Sequence, residues 1–149
     1  MTAKIASKTR VYRDMKKFLN EVIYIIKDFP KEQRYVVGDR IERTAIDSLH
    51  IIARVYMGKD LKMRIADMVE LQSNLELLNT LIEIAGEHQW IKGRDKLANL
   101  LLLMDSVGRQ STAWKGSLIE ALKRSESERR QCKGLQYPEG TLRCCYRQR

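Results

Sequence analysis

Four runs of apolar residues spaced at gaps of three and four constrain this chain more than any other feature. The first run is Val11, Met15, Phe18, Leu19, Val22, Ile25, Ile26 and Phe29. At about 100° per residue these positions fall on one arc of roughly 120°, the signature of an amphipathic helix. The opposite arc carries Arg10, Arg13, Lys16, Lys17, Lys27 and Lys31, with Asn20 among them. Pro30 ends that helix or begins the next, because the residue before a proline avoids the α region. No strand pattern competes: there is no sustained alternation and no Asn-Gly or Asp-Gly hairpin turn.

A second helix is predicted from about Lys31 to Met57, with Gly58 as its C-terminal stop. Val37, Ile41, Ala45, Ser48, Ile52 and Val55 keep its period, and Ile51 widens the face. Gly38 inside it costs about 1 kcal/mol relative to Ala and leaves room for a close contact without requiring one. Asp39–Arg43 and Arg43–Asp47 are spaced as i,i+4 ion pairs. The third helix opens after Asp60 as N-cap and carries Leu61, Ile65, Met68, Leu71, Leu75, Leu78, Ile82 and Ala85, with Gly86 as its stop. A loop of roughly Glu87 to Arg94 follows. The fourth helix takes in Leu97, Leu100, Leu101, Met104, Val107, Ser111, Trp114, Leu118, Ile119 and Leu122. Gly108, Thr112 and Gly116 recur every four residues on it, a spacing that admits a second backbone. From Arg124 onward the pattern fails, and 125–149 reads as a polar, irregular tail.

These features predict an all-α fold, an antiparallel up-down-up-down four-helix bundle over 10–124. A basic segment, 1–9, precedes it and the basic tail, 125–149, follows. Helices of about 20–29 residues reach about 30–43 Å and can bury a sizeable core. Tyr12, Ile23, Tyr35, Leu77, Leu81 and Leu102 fall off the main stripes, which points to a second buried face and hence to an oligomer.

The chain has 149 residues and a formal net charge of +9. The excess sits at the ends: 1–17 and 123–149 each carry +5, whereas 18–122 carries −1. Basic ends favour polyanions, nucleic acid first and anionic membrane second. No apolar run approaches the roughly 18 residues of a membrane span. The opening MTAKIASKTR has no apolar core of a secretory leader, so a cytoplasmic protein is expected. Cys132, Cys144 and Cys145 lie in the last 18 residues, an odd number without a fourth zinc ligand nearby, and read as plain thiols.

Catalytic motifs are missing from the sequence. It contains no Gly-rich phosphate loop, HExxH, CxxC or GxSxG. Of the two histidines, His50 reads as a packed or interface residue, and His88 has no ligand partner at motif spacing. Glu21, Glu42, Glu70 and Glu83 could face one another across a bundle, but a di-metal site needs two Glu-x-x-His pairs, and there are none. No enzyme, metal or cofactor is expected.

Several landmarks resemble a known family. Phe29-Pro30-Lys31, followed by Tyr35, Gly38-Asp39 and Ile41, resembles the first turn of the four-helix-bundle ribosomal-RNA intervening-sequence proteins. Ala45 to Asp60 with IIARVYMGKD, the third-helix end LIEIAGE, and LLLLMDSVGRQSTAWKGSL are more similar to the sister group Avd. Avd is the accessory variability determinant of diversity-generating retroelements. Val107-Gly108-Arg109 and Ala113-Trp114 echo its Ile-Gly-Arg and Gly-Trp, with Ala113 in place of Gly. Ile51-Ile52-Ala53-Arg54-Val55 stands where the intervening-sequence proteins have Asn-Ile-Ala-Glu-Gly, which favours Avd. The resemblance implies a homopentamer of four-helix protomers with a basic surface. It implies binding to a reverse transcriptase and to nucleic acid, template RNA first and DNA as a second candidate, in support of mutagenic copying (retrohoming) without catalysis.

On this reading the phosphate contacts are Arg10, Arg13, Lys16, Lys17, Lys27, Lys31 and Arg34, joined by Arg109 and Lys115 from the Avd-like region. Two other classes compete: a protein-interaction scaffold of the intervening-sequence type, and an anionic-lipid binder.

Overall fold

The structure, a computed structural model, describes residues 9–134. Among these residues all regular structure is helical. Helix α1 spans Arg10–Ile26, α2 Asp39–Met57, α3 Leu61–Glu87 and α4 Arg94–Gly134. A short turn of helix, Lys31–Gln33, and a π-helical stretch, Arg34–Gly38, lead into α2.

The helices close into a ring in which α1 packs on α2 and α4, and α3 packs on α2 and α4. The predicted stripes meet at its centre. Met15 and Phe18 from α1, Ile41 and Ile52 from α2, Leu71 and Leu78 from α3, and Leu100 and Val107 from α4 are all fully buried. Cross-contacts give the directions. Gln72 bonds to Lys115 and Thr112, whereas Gly86 lies against Leu97. Asp14 bonds to Ser106 and Gln110, and Phe29 meets Trp90 near the start of α4. Residue numbers therefore rise along one helix as they fall along its neighbour. Of the residues off the stripes, Tyr12 and Leu81 pack against the core, whereas Ile23, Tyr35 and Leu102 are exposed.

Local signals act largely as their chemistry dictates. The Gly58 N–H donates to the Arg54 carbonyl at 2.9 Å and closes α2. Asp60 Oδ1 accepts from the Lys62 N–H at 3.1 Å, satisfying one free donor at the start of α3. Arg43 pairs with Asp39 at 2.9 Å. At Gly38 a Cβ would stand 2.7 Å from Ile26 Cγ2, so the glycine admits the close approach of α1 to the start of α2. The π turn was not legible in the spacing; in it the Asp39 N–H reaches the Arg34 carbonyl, five residues back.

Two expectations need correction. The irregular tail from 125 is instead helical as far as Gly134. Ser125–Lys133 contains no Pro or Gly, and Glu126, Glu128, Arg129, Arg130 and Gln131 are helix-tolerant residues. Extending a helix already formed needs no apolar stripe, because elongation is cheap once a helix is nucleated. Residues 1–8 and 135–149, with Cys144 and Cys145, lie outside the described residues. Second, the chain reverses after α3 at Gln89 rather than at Gly86. Gln89 has φ 59°, the Trp90 N–H donates to the Ala85 carbonyl at 2.9 Å, and the Gln89 N–H donates to the Gly86 carbonyl at 3.1 Å. That pairing is a Schellman cap with a glutamine in the left-handed position. Among the described residues no neighbouring group lies within 4 Å of a Cβ built at Gly108 or Gly116, so the small-residue strip on α4 stands open.

A side chain at φ near +60° costs about 1–2 kcal/mol that glycine avoids. Gln89→Gly is expected to raise stability by about 1 kcal/mol in urea unfolding; a loss of stability would contradict this cap.

Candidate nucleic-acid interface

Burial of the α1 stripe decides where its cations stand. With Met15, Phe18 and Val22 turned inward, Arg13, Lys16 and Lys17 are exposed. Arg13, Lys17, Asn20, Tyr24 and Lys27 follow one another at gaps of four and three, a single line along the outer face. Asp14 holds this helix in register on α4. Its Oδ2 accepts from Gln110 Nε2 at 2.8 Å and from Ser106 Oγ at 3.0 Å. The same oxygen faces Arg10 Nε at 3.7 Å, so Arg10 is the one cation of the α1 group with an acidic neighbour among these pairs.

The line continues around the corner into the π turn. Arg34 Nη2 donates to the Lys27 carbonyl at 2.9 Å and to the Phe29 carbonyl at 3.3 Å. The guanidinium thus satisfies carbonyls left over at the end of α1 while remaining exposed. Lys31 is exposed one turn earlier. Lys27 Nζ lies 5.0 Å from the centre of the Tyr24 ring.

The structure therefore gathers Arg10, Arg13, Lys16, Lys17, Lys27, Lys31 and Arg34 along α1 and its corner. Arg109 and Lys115 stand apart, on the seam of α3 and α4. Arg109 pairs with Asp105 at 3.0 Å, and Lys115 Nζ is half-buried and donates to Gln72 Oε1 at 3.0 Å. An open groove of about 1010 Å³ runs along this seam, bordered by Ser73, Glu76, Leu101, Gly108, Arg109 and Thr112.

Further exposed cations stand outside these nine. Lys92, Arg94 and Lys96 lie in and after the α3–α4 loop. The Phe29–Trp90 ring contact, with centroids 5.6 Å apart, brings that loop to the α1–α2 corner. Three cations within five residues were visible, but their neighbour across the fold was not. Lys123, Arg124, Arg129, Arg130 and Lys133 are exposed on the helical extension of α4. Their charge was legible; their helical placement was not, because no apolar stripe marks it.

Not every cation is available to a ligand. Arg54 Nη2 binds Asp67 at 2.8 Å and Glu70 at 3.1 Å, fastening α2 to α3. The hydrogen bond to Asp67 raises the guanidinium's proton affinity above its ordinary value, with the charges of both acids acting the same way. Buried hydroxyls are likewise engaged: Ser48 Oγ donates to the Thr44 carbonyl and Ser111 Oγ to the Val107 carbonyl, each at 2.7 Å. Among the described residues no cluster of three His, Cys, Asp or Glu side chains could hold a metal ion. No helix among them is long and apolar enough to cross a membrane.

Comparison with known proteins agrees with the resemblance read from the sequence. No curated protein matches the chain significantly. A family model described as bAvd-like matches residues 6–118, which takes in α1 to α3 and α4 as far as Leu118. The chain belongs to the bAvd-like family, an accessory-protein family.

Proposed function

We propose that this protein is a non-catalytic accessory factor of a diversity-generating retroelement that binds template RNA and the reverse transcriptase during mutagenic copying in the cytoplasm. The observation that carries this reading is the line of exposed cations on α1, held on a rigid bundle in a chain of the bAvd-like family. Lysines and arginines on an exposed helix face contact phosphates, which gives affinity that falls with salt and reads little sequence. Arg13, Lys16 and Lys17 are the primary phosphate contacts. Lys27, Lys31 and Arg34 extend them around the corner, and Arg10 contributes less because of Asp14.

The groove between α3 and α4 supports a second element of the same reading, contact between copies of the chain in a homopentamer. Gly108 carries no side chain over it, Gly116 two turns on leaves open space on the same helix, and Val69 and Leu102 are exposed on the same two helices. Arg109 and Lys115 belong to this seam and act there rather than on RNA.

Two measurements check these statements. Polarisation binding to a structured RNA across a salt series is expected to show a steep loss of affinity. Lys16→Ala with Lys17→Ala is expected to lower the log–log salt slope by about 2, about 1 for each phosphate contact removed. An unchanged slope would remove α1 from the interface. Light scattering of the wild type is expected to give about 87 kDa, five times the 17.4 kDa chain. Gly108→Leu with Gly116→Leu, which fill open space in the protomer, are expected to reduce that mass. A wild-type mass retained by this variant would exclude the groove as the contact between copies.

A further inference from the structure

One end of the bundle carries more aromatic surface than its packing needs. Phe29 is buried at 2% exposure, and Trp90 lies against it, half-buried, with ring planes tilted by 49°. His88 then stacks on Trp90, with ring centres 4.9 Å apart and planes within 15°. The three rings form a column from the core to the surface, and its outermost member, His88, is exposed. The Gln89 cap holds this column, because its reversal of the chain sets His88 and Trp90 on either side of the turn. At the same end Tyr24 and Tyr35 are 72% and 70% exposed. A tyrosine on a folded surface ordinarily lays its ring on apolar neighbours and keeps only its hydroxyl in water. These two rings do not.

Cations interleave with the rings. Lys27 stands over Tyr24, Arg34 precedes Tyr35 and reaches back to the Lys27 carbonyl, and Lys92 follows the His88–Trp90 stack. Rings beside an arginine also suit a protein interface, but such interfaces exclude lysine from their centre, and Lys27 and Lys92 both stand among these rings. Unpaired nucleotides fit it well: each presents a π-face to stack on a ring and a phosphate to a neighbouring cation. A duplex offers the phosphates but hides the base faces inside its own stack.

We propose that this end of the bundle is a base-stacking platform for single-stranded RNA, with Tyr24, Tyr35 and the outer face of His88 each taking an unpaired base beside a phosphate-binding cation. The proposal rests on the RNA-binding reading above and deepens it. The α1 line grips phosphates of any strand, and the platform adds a preference for unpaired segments.

The test uses the full chain and two labelled RNAs of equal phosphate number, one unstructured and one a blunt duplex, in polarisation titrations over a salt series. Tyr24→Ala with Tyr35→Ala is expected to weaken single-strand binding about tenfold or more, from about 1–3 kcal/mol per stacked base. Duplex binding and both salt slopes are expected to change less than about twofold, since no phosphate contact is lost. Tyr24→Phe with Tyr35→Phe, which keeps the rings, is expected to retain single-strand affinity, and His88→Ala to lose part of it. Both tyrosines are exposed, and coincident thermal unfolding of the variants establishes that their folds are intact. Unchanged single-strand binding by the alanine variant, or an equal loss on both RNAs, would overturn the platform and leave these rings to a protein contact. If the wild type binds neither RNA at low salt, the RNA-binding reading itself fails and the platform with it. A steep salt slope with no effect of the alanines sinks the platform alone.

Discussion

Burial of Met15, Phe18 and Val22 in the ring of helices is the constraint on which the surface of this protein depends. Each fully buried side chain of this kind contributes about 1.5–3 kcal/mol, whereas an exposed ion pair contributes about 0–1 kcal/mol. The apolar face therefore dictates how α1 is rotated, and the cations take the outer face that remains. Asp14 refines this placement, because its bonds to Ser106 and Gln110 fix α1 against α4 as well as toward the core. The cationic line is in this sense a product of core packing, not of any attraction between the cations and the fold.

The bundle separates two kinds of surface. On α1 and its corner, Arg10 alone of the described cations pairs with an acid within 4 Å, and aromatic rings project among the others. On the α3–α4 seam, Arg109 is paired with Asp105 and Lys115 is held by Gln72, and small residues leave a groove open. The first surface suits a polyanion and the second a close-fitting chain. Arg54, drawn into a pair with Asp67 and Glu70, illustrates how a cation can be spent on holding helices together instead.

Periodicity makes the core legible in the sequence, because one buried face per helix leaves a regular trace. Gly58 and Asp60 are readable for a similar reason: a cap acts on its own helix and needs no distant partner. The reversal at Gln89 is hidden because a glutamine there breaks the usual association of glycine with the left-handed conformation. The continuation of α4 to Gly134 is hidden because no apolar stripe runs through 125–134. Of the nine cations singled out, seven share one helix and its corner, which is what a single helical face encodes. Arg109 and Lys115 came from resemblance, and only the tertiary fold separates them from the rest. Lys92, Arg94 and Lys96 escape notice because the Phe29–Trp90 contact that brings them to the corner joins residues far apart in sequence.

On the proposed function, RNA lies along the outer face of α1 and around its corner. Lysine acetylation mapped residue by residue, with and without bound RNA, tests it most directly. RNA is expected to protect Lys16, Lys17, Lys27 and Lys31, while Lys59 and Lys62, exposed where α2 passes into α3, stay as reactive as in the free protein. Protection confined to Lys59 and Lys62, or none on α1 under saturating RNA, would contradict the account.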